Sequence, residues 1–486
     1  MSKTLRKNKN SKKNVKHYSK NNKSNKSNKM RGSGGKSMIN SISGLFSFTK
    51  PITDDDFKKT GSINIIDGVM KIGDKTKKIN QANIVDEILQ ALDKSKKNLM
   101  SFSIYNTISE QNKISEQELI LIIGALLKNE VLTKITIHDY HISMRVAKML
   151  SEFLKVNTLT SLILNNNKMN SDGMVALVEG LSHINTLKTL DIGSNNIGDD
   201  GIVALSEVLN HTNITQLNID NCKLDSNEKN GNNYGIETLS KVLQTNKKLE
   251  MLTISNNNIG CFNILNLLSS LENHVKLTML DISNTNMTKN CKDKNLPFVI
   301  GEAISQIKNL NVLNMADNSI GNNDMSKIFS SLVGDNSSNI KHMIISNNNL
   351  GKFKEYNYDS NNMNNNILLT TIIERCNFET LLIDNNPFTK DDKNRIQTAL
   401  ENNDTITDMG ESLNKKISNL LFKNKNFDLK PYDNLTPTEK LEYSIRQNKL
   451  AKKLSEELKL LRNELKEHNI HSNSNNSNSN NNRHTK

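Results

Sequence analysis

A solenoid of repeated strand–loop–helix units, in the α/β class, is the fold that this 486-residue sequence predicts. Three observations carry it. A pattern of apolar residues at positions 1, 4, 6 and 11 recurs nine times, in units that begin at Leu132, Leu159, Leu187, Ile214, Leu249, Leu277, Leu310, Ile340 and Phe378. Most of these units start 27 to 30 residues apart. The second half of each unit has helical apolar spacing, as in Gly173, Ala176, Leu177 and Leu181, and again in Gly201, Ala204, Leu205 and Leu209. Self-similarity at such a period marks stacked units, none of which buries its apolar face without its neighbours.

Within one unit the elements follow in order. Leu190 and Ile192, at positions 4 and 6, point inward from a strand, and the third, fifth and seventh residues point to the opposite, open face by alternation. Position 9 is Asn at Asn167, Asn195, Asn257, Asn318, Asn348 and Asn386, with Tyr140, Cys222 and Thr285 as departures. An Asn there is expected to bond backbone groups of adjacent coils, so that stacking builds an internal polar ladder. Cys222 reads as a small substitute within it. The helix then covers the strand residues from the other side.

The spacing, the full helix and the G-x-x-A-L pattern together resemble the ribonuclease-inhibitor-like class of leucine-rich repeats, over about residues 99 to 413. The resemblance implies a horseshoe with a concave parallel sheet and convex helices. Members of the class include ribonuclease inhibitors, innate-immune receptor domains, tropomodulin-like actin regulators and Ran GTPase activators, so it implies no single function.

The remainder of the chain divides by composition. Residues 1–40 hold 13 Lys or Arg and no Asp or Glu, which leaves 51 basic against 51 acidic residues elsewhere, so the whole net charge of +13 sits in this arm. Its low apolar content predicts disorder. Nuclear targeting, weak contact with nucleic acid and contact with an anionic surface are its functional readings, beside a solvated tail that follows from a Lys- and Asn-rich composition. Residues 41–98 read as a linker and N-terminal cap, with helical spacing from Ile84 to Leu92; Leu99, Phe102 and Ile104 then form a degenerate first strand. The solenoid and its closing cap occupy 99–422. In 436–468, Thr436, Pro437 and Glu439 supply an N-cap, a first-turn Pro and a capping-box Glu for a long helix. Its Leu454, Leu458, Leu461 and Leu465 make a short heptad seam, suited to a coiled-coil homodimer or to packing back on the solenoid. Residues 469–486 read as a disordered Ser/Asn tail.

No apolar stretch reaches membrane-spanning length, and no signal-peptide core follows the basic start, so a cytoplasmic or nuclear protein is expected. Cys222, Cys261, Cys291 and Cys376 are dispersed without a C-x-x-C pair and are expected to be reduced thiols.

The candidate site follows from strand alternation. Among open-face positions, Thr136, His138, Asn165, Asp191, Asn218, Asp220, Asp281 and Asp384 are the candidate partner-binding residues, with Lys134, Ser161, Gln216, Asn314 and His342 beside them. Four Asp against the single Lys134 favour a basic or polar protein partner and disfavour nucleic acid on this face. The units starting at Ile214, Leu277 and Ile340 are longer, at 35, 33 and 38 residues, and their extra residues fall between strand and helix, on one rim. Insertions gathered on one side mark a binding surface. Tyr234 lies in the first insert and Phe353, Tyr356 and Tyr358 in the last, in a chain only 4% aromatic.

Enzymatic readings find little support. The run Arg31–Ser37 is similar to a phosphate-binding loop, but Met30 stands where the pattern needs Gly and no strand precedes it. No zinc-ligand spacing, nucleophile elbow or paired-carboxylate signature is present, and no metal or cofactor is expected. Arg145 and Asn166 or Asn167 resemble positions used by Ran GTPase activators, yet residues 446–467 are mixed and Lys-rich where such activators carry an acidic stretch. The tropomodulin-like reading rests on the repeats and a terminal helix, without an actin-binding segment. A non-enzymatic scaffold that binds an unidentified protein is the expectation.

Overall fold

The computed structural model describes residues 51–401, apart from 67, 81–82, 107–113, 226–232, 289–290, 292, 333–338, 352–377 and 379 and the side chains of 395 and 397–401. Every described residue lies within the unit that begins at Pro51. The basic arm, Phe353, Tyr356 and Tyr358, Cys376, the closing cap beyond 401, the 436–468 helix and the Ser/Asn tail lie outside the described residues.

The described chain runs from α1 (Asp54–Lys59) through a three-stranded segment, β1 (Ser62–Ile66), β2 (Val69–Ile72) and β3 (Lys75–Lys78), to α2 (Ile84–Ser95) and β4 (Ser101–Tyr105). From there helix and strand alternate: α3 (Glu116–Leu126), β5 (Lys134–His138), α4 (Met144–Val156), β6 (Ser161–Ile163), α5 (Ser171–Leu181), β7 (Thr189–Asp191) and α6 (Gly198–Leu209). They continue as β8 (Gln216–Asn218), α7 (Tyr234–Leu243), β9 (Met251–Thr253), α8 (Cys261–Ser270), β10 (Met279–Asp281) and α9 (Leu296–Ser305). The last are β11 (Val312–Asn314), α10 (Asn322–Ser330), β12 (His342–Ile344), β13 (Thr380–Leu382) and α11 (Lys390–Glu401).

All 13 strands belong to one sheet, and from β4 to β13 each strand is a parallel neighbour of the next. Register is constant: Lys134, Ser161, Thr189, Gln216, Met251, Met279, Val312, His342 and Thr380, the third residues of the nine units, form a single row. This is the α/β repeat solenoid that the period predicts. The fourth and sixth residues of all nine units are buried beneath the helices.

The sheet departs from pure repetition at its start. β1 pairs in parallel with β4 but in antiparallel fashion with β2, which pairs likewise with β3. Gly68 at φ 76° and Gly73 at φ 56° make the two reversals, in a region of backbone space that β-carbons disfavour. Ile63, Ile65, Met70 and Ile72 bury the inner side of this meander. Its outer strand, Lys75–Lys78, ends the sheet with lysines, of which Lys75 and Lys77 pair with Asp56 at 2.8 Å and Glu87 at 2.9 Å. A lysine-rich edge resists further strand addition.

The position-9 ladder is present and directional. Asn195 Oδ1 accepts from Asn167 N–H at 3.0 Å and Met169 N–H at 2.9 Å, both in the preceding coil, and its Nδ2 donates to the Leu164 carbonyl there at 2.8 Å. Asn257 does the same for Cys222 N–H, Leu224 N–H and the Ile219 carbonyl, and Asn318 for Thr285 N–H, Met287 N–H and the Ile282 carbonyl. Asn348 repeats it on Asn318, Ile320 and Met315. The Cys222 thiol donates to the Ile192 carbonyl at 3.4 Å, the acceptor an Asn would use, so it keeps one rung. Thr285 instead turns its hydroxyl to its own coil, onto the Ile282 carbonyl at 2.8 Å.

Position 8 obeys a second rule. Asp139, Asn166, Ser194, Asn221, Asn256, Asn284, Asp317, Asn347 and Asn385 all have φ between 48° and 64°. Asn and Asp tolerate this left-handed conformation better than other residues with a β-carbon. Helices then approach closely where a side chain is absent: a Cβ on Gly180 would lie 2.5 Å from the Ser151 carbonyl oxygen, and one on Gly301 only 2.2 Å from that of Ile328.

Asn257→Ala removes the acceptor of the Cys222 and Leu224 N–H groups and the donor to the Ile219, Ile254 and Ser255 carbonyls, and urea unfolding is expected to show a loss of about 3 kcal/mol. Cys222→Asn completes the ladder and is expected to raise the same midpoint, by about 1 kcal/mol.

Candidate protein-binding surface

The sheet face turned away from the helices is built from the third, fifth and seventh residues of each unit. Neighbouring strands lie about 4.8 Å apart, so each side chain is flanked by its counterparts on both sides. Thr136, His138, Asn165, Asp191, Asn218, Asp220 and Asp281 are accordingly buried, although they face away from the core, and Asp384 is half-buried.

The carboxylates are held in three groups. Asp191 accepts from Asn218 Nδ2 at 3.0 Å and Asn165 Nδ2 at 3.4 Å, and also from the Gly193 N–H at 3.0 Å. Asp220 accepts from Ser255 Oγ at 2.8 Å, Asn256 Nδ2 at 2.6 Å and Ser194 Oγ at 3.4 Å. Asp281 accepts from Ser283 Oγ at 2.7 Å and Asn314 Nδ2 at 3.1 Å. Among the described residues no Lys or Arg pairs with Asp220 or Asp281. Burial pushes the Asp220 carboxyl up to about 6, against the pull of its hydrogen bonds, and the nearby Asp281 charge pushes the same way. Burial also raises Asp281, which the Ser283 and Asn314 bonds oppose.

Elsewhere on the face, His138 Nδ1 lies 2.8 Å from Asp139 Oδ2, and its ring sits 5.7 Å from that of Tyr105. His342 Nδ1 is 3.1 Å from Thr380 Oγ1. The alternation that selects the polar residues also places Met251, Met279 and Val312 side by side in the third row, with Ile344 and Leu382 paired in the fifth. Emphasis on charge passed over these five. They form an apolar tract across β9 to β13, beside the Asp281 carboxylate of β10. The position-8 residues were likewise missed; the repeated Asn or Asp before position 9 was their signal. They add Asp139 and Asp317 and a row of lateral contacts, among them Asn284 Nδ2 to Asn256 Oδ1 at 2.8 Å, Asn347 Nδ2 to Asp317 Oδ2 at 3.3 Å and Asn166 to Asp139.

Tyr234 belongs to a different group. It is the first residue of α7, capped by Asn233, and is half exposed with its hydroxyl donating to Asp200 Oδ1 at 2.7 Å. This bond, followed by burial and the Asp200 charge, pushes its phenol up to about 12. Adjacent Asp199 is raised to about 6 by burial, with Asp200 and Asp225 contributing. Of the residues compared with GTPase activators, Asn167 is fully buried in the ladder, Asn166 is exposed and bonds Asp139, and exposed Arg145 lies 3.9 Å from Glu116.

Residues 157–178, 183–206 and 306–329 match the family model described as Leucine Rich repeat. Each segment spans one strand, β6, β7 or β11, and the start or body of the helix after it. This chain carries leucine-rich repeats. No curated protein matches it in sequence. Among solved structures, the repeats are similar to a crystal structure of a TLR13–ssRNA13 complex, at 18% identity and a TM-score of 0.38, over 65% of this chain and 36% of that one. Leiomodin-1 Actin-Binding Site 2 is similar at 20% identity and a TM-score of 0.23, over 35% of this chain and 78% of that one. This chain thus spans about a third of the TLR13 chain. Among the described residues no helix is long and apolar enough to cross a membrane, and no group of His, Cys, Asp or Glu is arranged to hold a metal ion.

Asp220 has a folded pKa of about 6 against an ordinary 3.8. The folded state therefore binds the proton more tightly, and Asp220's stabilising contribution is full below the unfolded value and lost as pH rises through the folded one. Chemical denaturation of wild type and Asp220→Asn at pH 4 and pH 7.5 checks this. The difference between the two proteins is expected to shift by about 2 kcal/mol in favour of the variant at the higher pH.

Proposed function

We propose that the protein is a non-enzymatic interaction scaffold that holds a protein partner on the open sheet face of its repeats. The observation that carries this reading is the in-register tract Met251, Met279 and Val312 with Asp281 two residues along β10 from Met279, a carboxylate that has no cationic partner among the described residues. An apolar centre edged by polar groups is how protein interfaces are composed. The acidic edge selects a partner segment that offers Lys or Arg beside an apolar side chain. Thr136, His138, Asn165, Asp191, Asn218 and Asp384 extend the polar side of the surface, and Tyr234 supplies an aromatic anchor, joined in this reading by Phe353, Tyr356 and Tyr358 of the last insert in the sequence.

The GTPase-activator and actin-regulator readings are the alternatives within the same repeat architecture. The ladder accounts for Asn167 without any catalytic duty, which favours the scaffold. A second reading, association with nucleic acid through residues 1–40, rests on the confinement of the net charge to that arm. A cytoplasmic or nuclear site of action belongs to the same proposal, as does homodimer formation through 436–468.

Proximity labelling from the full chain in its own cell supplies the partner. Met251→Glu with Val312→Glu is then expected to weaken its binding at least about tenfold while circular dichroism stays unchanged, as hot-spot loss does. Undiminished binding by this double variant overturns the assignment to the sheet face. For the arm, nucleic-acid retention that falls steeply with salt and disappears on deletion of residues 1–40 is the expected signature.

A further inference from the structure

The expectation of dispersed reduced thiols is corrected by the structure: Cys261 and Cys291 are joined in a disulfide, whereas Cys222 is free and buried. They are 30 residues apart in sequence, but stacking places them in adjacent coils with Cα atoms 6.0 Å apart, within the span a disulfide bridges. We propose that this is a reversible thiol–disulfide site, exchanging with a low-molecular-weight disulfide of the glutathione type, that fastens the inserted loop between β10 and α9 to the head of α8.

Four observations support reversibility over a structural staple. Both cysteines are partly exposed, so a small disulfide reaches them; Cys222 is fully buried. Cys261 is the first residue of α8, a ten-residue helix whose N-cap is Gly260 and offers no side-chain bond. The free N–H groups and positive end of the helix dipole there stabilise a thiolate, the nucleophile in exchange. Lys289 and Lys292 flank Cys291 in sequence, so its neighbours along the chain include two cationic residues. Finally, the junction is made without the bond. The Thr285 carbonyl accepts from Ile259 N–H at 3.1 Å and Gly260 N–H at 3.0 Å, Asn286 Nδ2 reaches Asn258 Oδ1 at 2.7 Å, and β9 and β10 pair in the sheet.

What the bond adds lies farther out. The loop is anchored before the cysteine by Met287 N–H and Thr288 Oγ1 on Asn318, and after it by the start of α9. Cys291 lies between these anchors. Formation is balanced as exchange: the Cys261 thiolate attacks one sulfur of the small disulfide and expels a thiolate, which leaves a mixed disulfide. Cys291 then loses its proton and attacks the Cys261 sulfur, expelling the second small thiol. Two protein thiols and one small disulfide become one protein disulfide and two small thiols; excess reduced thiol runs the sequence backward. This site does not depend on the partner assigned to the sheet face.

The test uses the full chain equilibrated without denaturant in glutathione buffers from fully reduced to fully oxidised, then alkylated and analysed by mass spectrometry for the Cys261–Cys291 peptide. The peptide is expected to appear and disappear with the buffer, while circular dichroism and the urea midpoint show a folded solenoid in both states. Trypsin cleavage after Lys289, Lys292 or Lys294 is expected to be at least about tenfold faster in the reduced protein, as for a loop whose open population rises. Cys261→Ser and Cys291→Ser are each expected to cleave at the fast rate in every buffer. The proposal is overturned if no linked peptide forms in excess oxidised glutathione, if reduction requires denaturant or unfolds the repeats, or if cleavage is equally fast in both states.

Discussion

Everything in this structure depends on finding partners for the backbone where the chain leaves a strand. The strands are only three residues long from β6 onward, so most of each coil lies outside the sheet, yet its inner side is as dry as the core. N–H and C=O groups left there without partners would cost about 1–3 kcal/mol each. A single side-chain amide per coil, placed at position 9, resolves this for the coil before it. Because that residue must reach inward, the one ahead of it is forced into left-handed backbone space, which explains a row of Asn and Asp where composition alone suggests low complexity. The asparagine richness of the repeat region is thus partly architectural.

The same regularity shapes the exposed chemistry. Strict register stacks like positions on like, so an Asp on the open face meets residues of its own row instead of an oppositely charged side chain chosen for it. Ser and Asn neighbours take up its oxygens, and burial by those neighbours raises its affinity for a proton. The result is a surface whose charge is partly stored: Asp220 and Asp281 titrate closer to neutrality than exposed carboxylates do. The apolar row of β9 to β11 sits beside it because those units carry Met and Val at the third position.

The nine strands, their parallel order and the ladder were legible in the sequence because they repeat, and repetition lets one unit confirm another. Features that occur once were not. The antiparallel meander of β1 to β3 lies in the segment that reads in sequence only as a linker and N-terminal cap, and its turns depend on two glycines with no counterpart in the repeats. The Cys261–Cys291 pair was hidden because sequence separation says nothing of stacking: the two become neighbours only once coil is laid on coil. For the sheet face, alternation identified which side chains point outward, but not that close strand spacing would bury seven of the eight polar candidates. Tyr234, read from the sequence as part of an insert, is the first residue of α7, and its tie to Asp200 required the fold.

The ladder has a direction, and direction matters to a chain made from one end. Each Asn serves the coil N-terminal to it, never the coil that follows: Asn195 completes the coil of Asn167, and Asn348 that of Asn318. During synthesis the newest coil is therefore always the incomplete one, and it closes only when the next has emerged. Assembly from the amino end would proceed like a zip, with each tooth locked by its successor. Loss of coils from the carboxyl end reopens a buried amide, whereas loss from the amino end merely returns an asparagine to water.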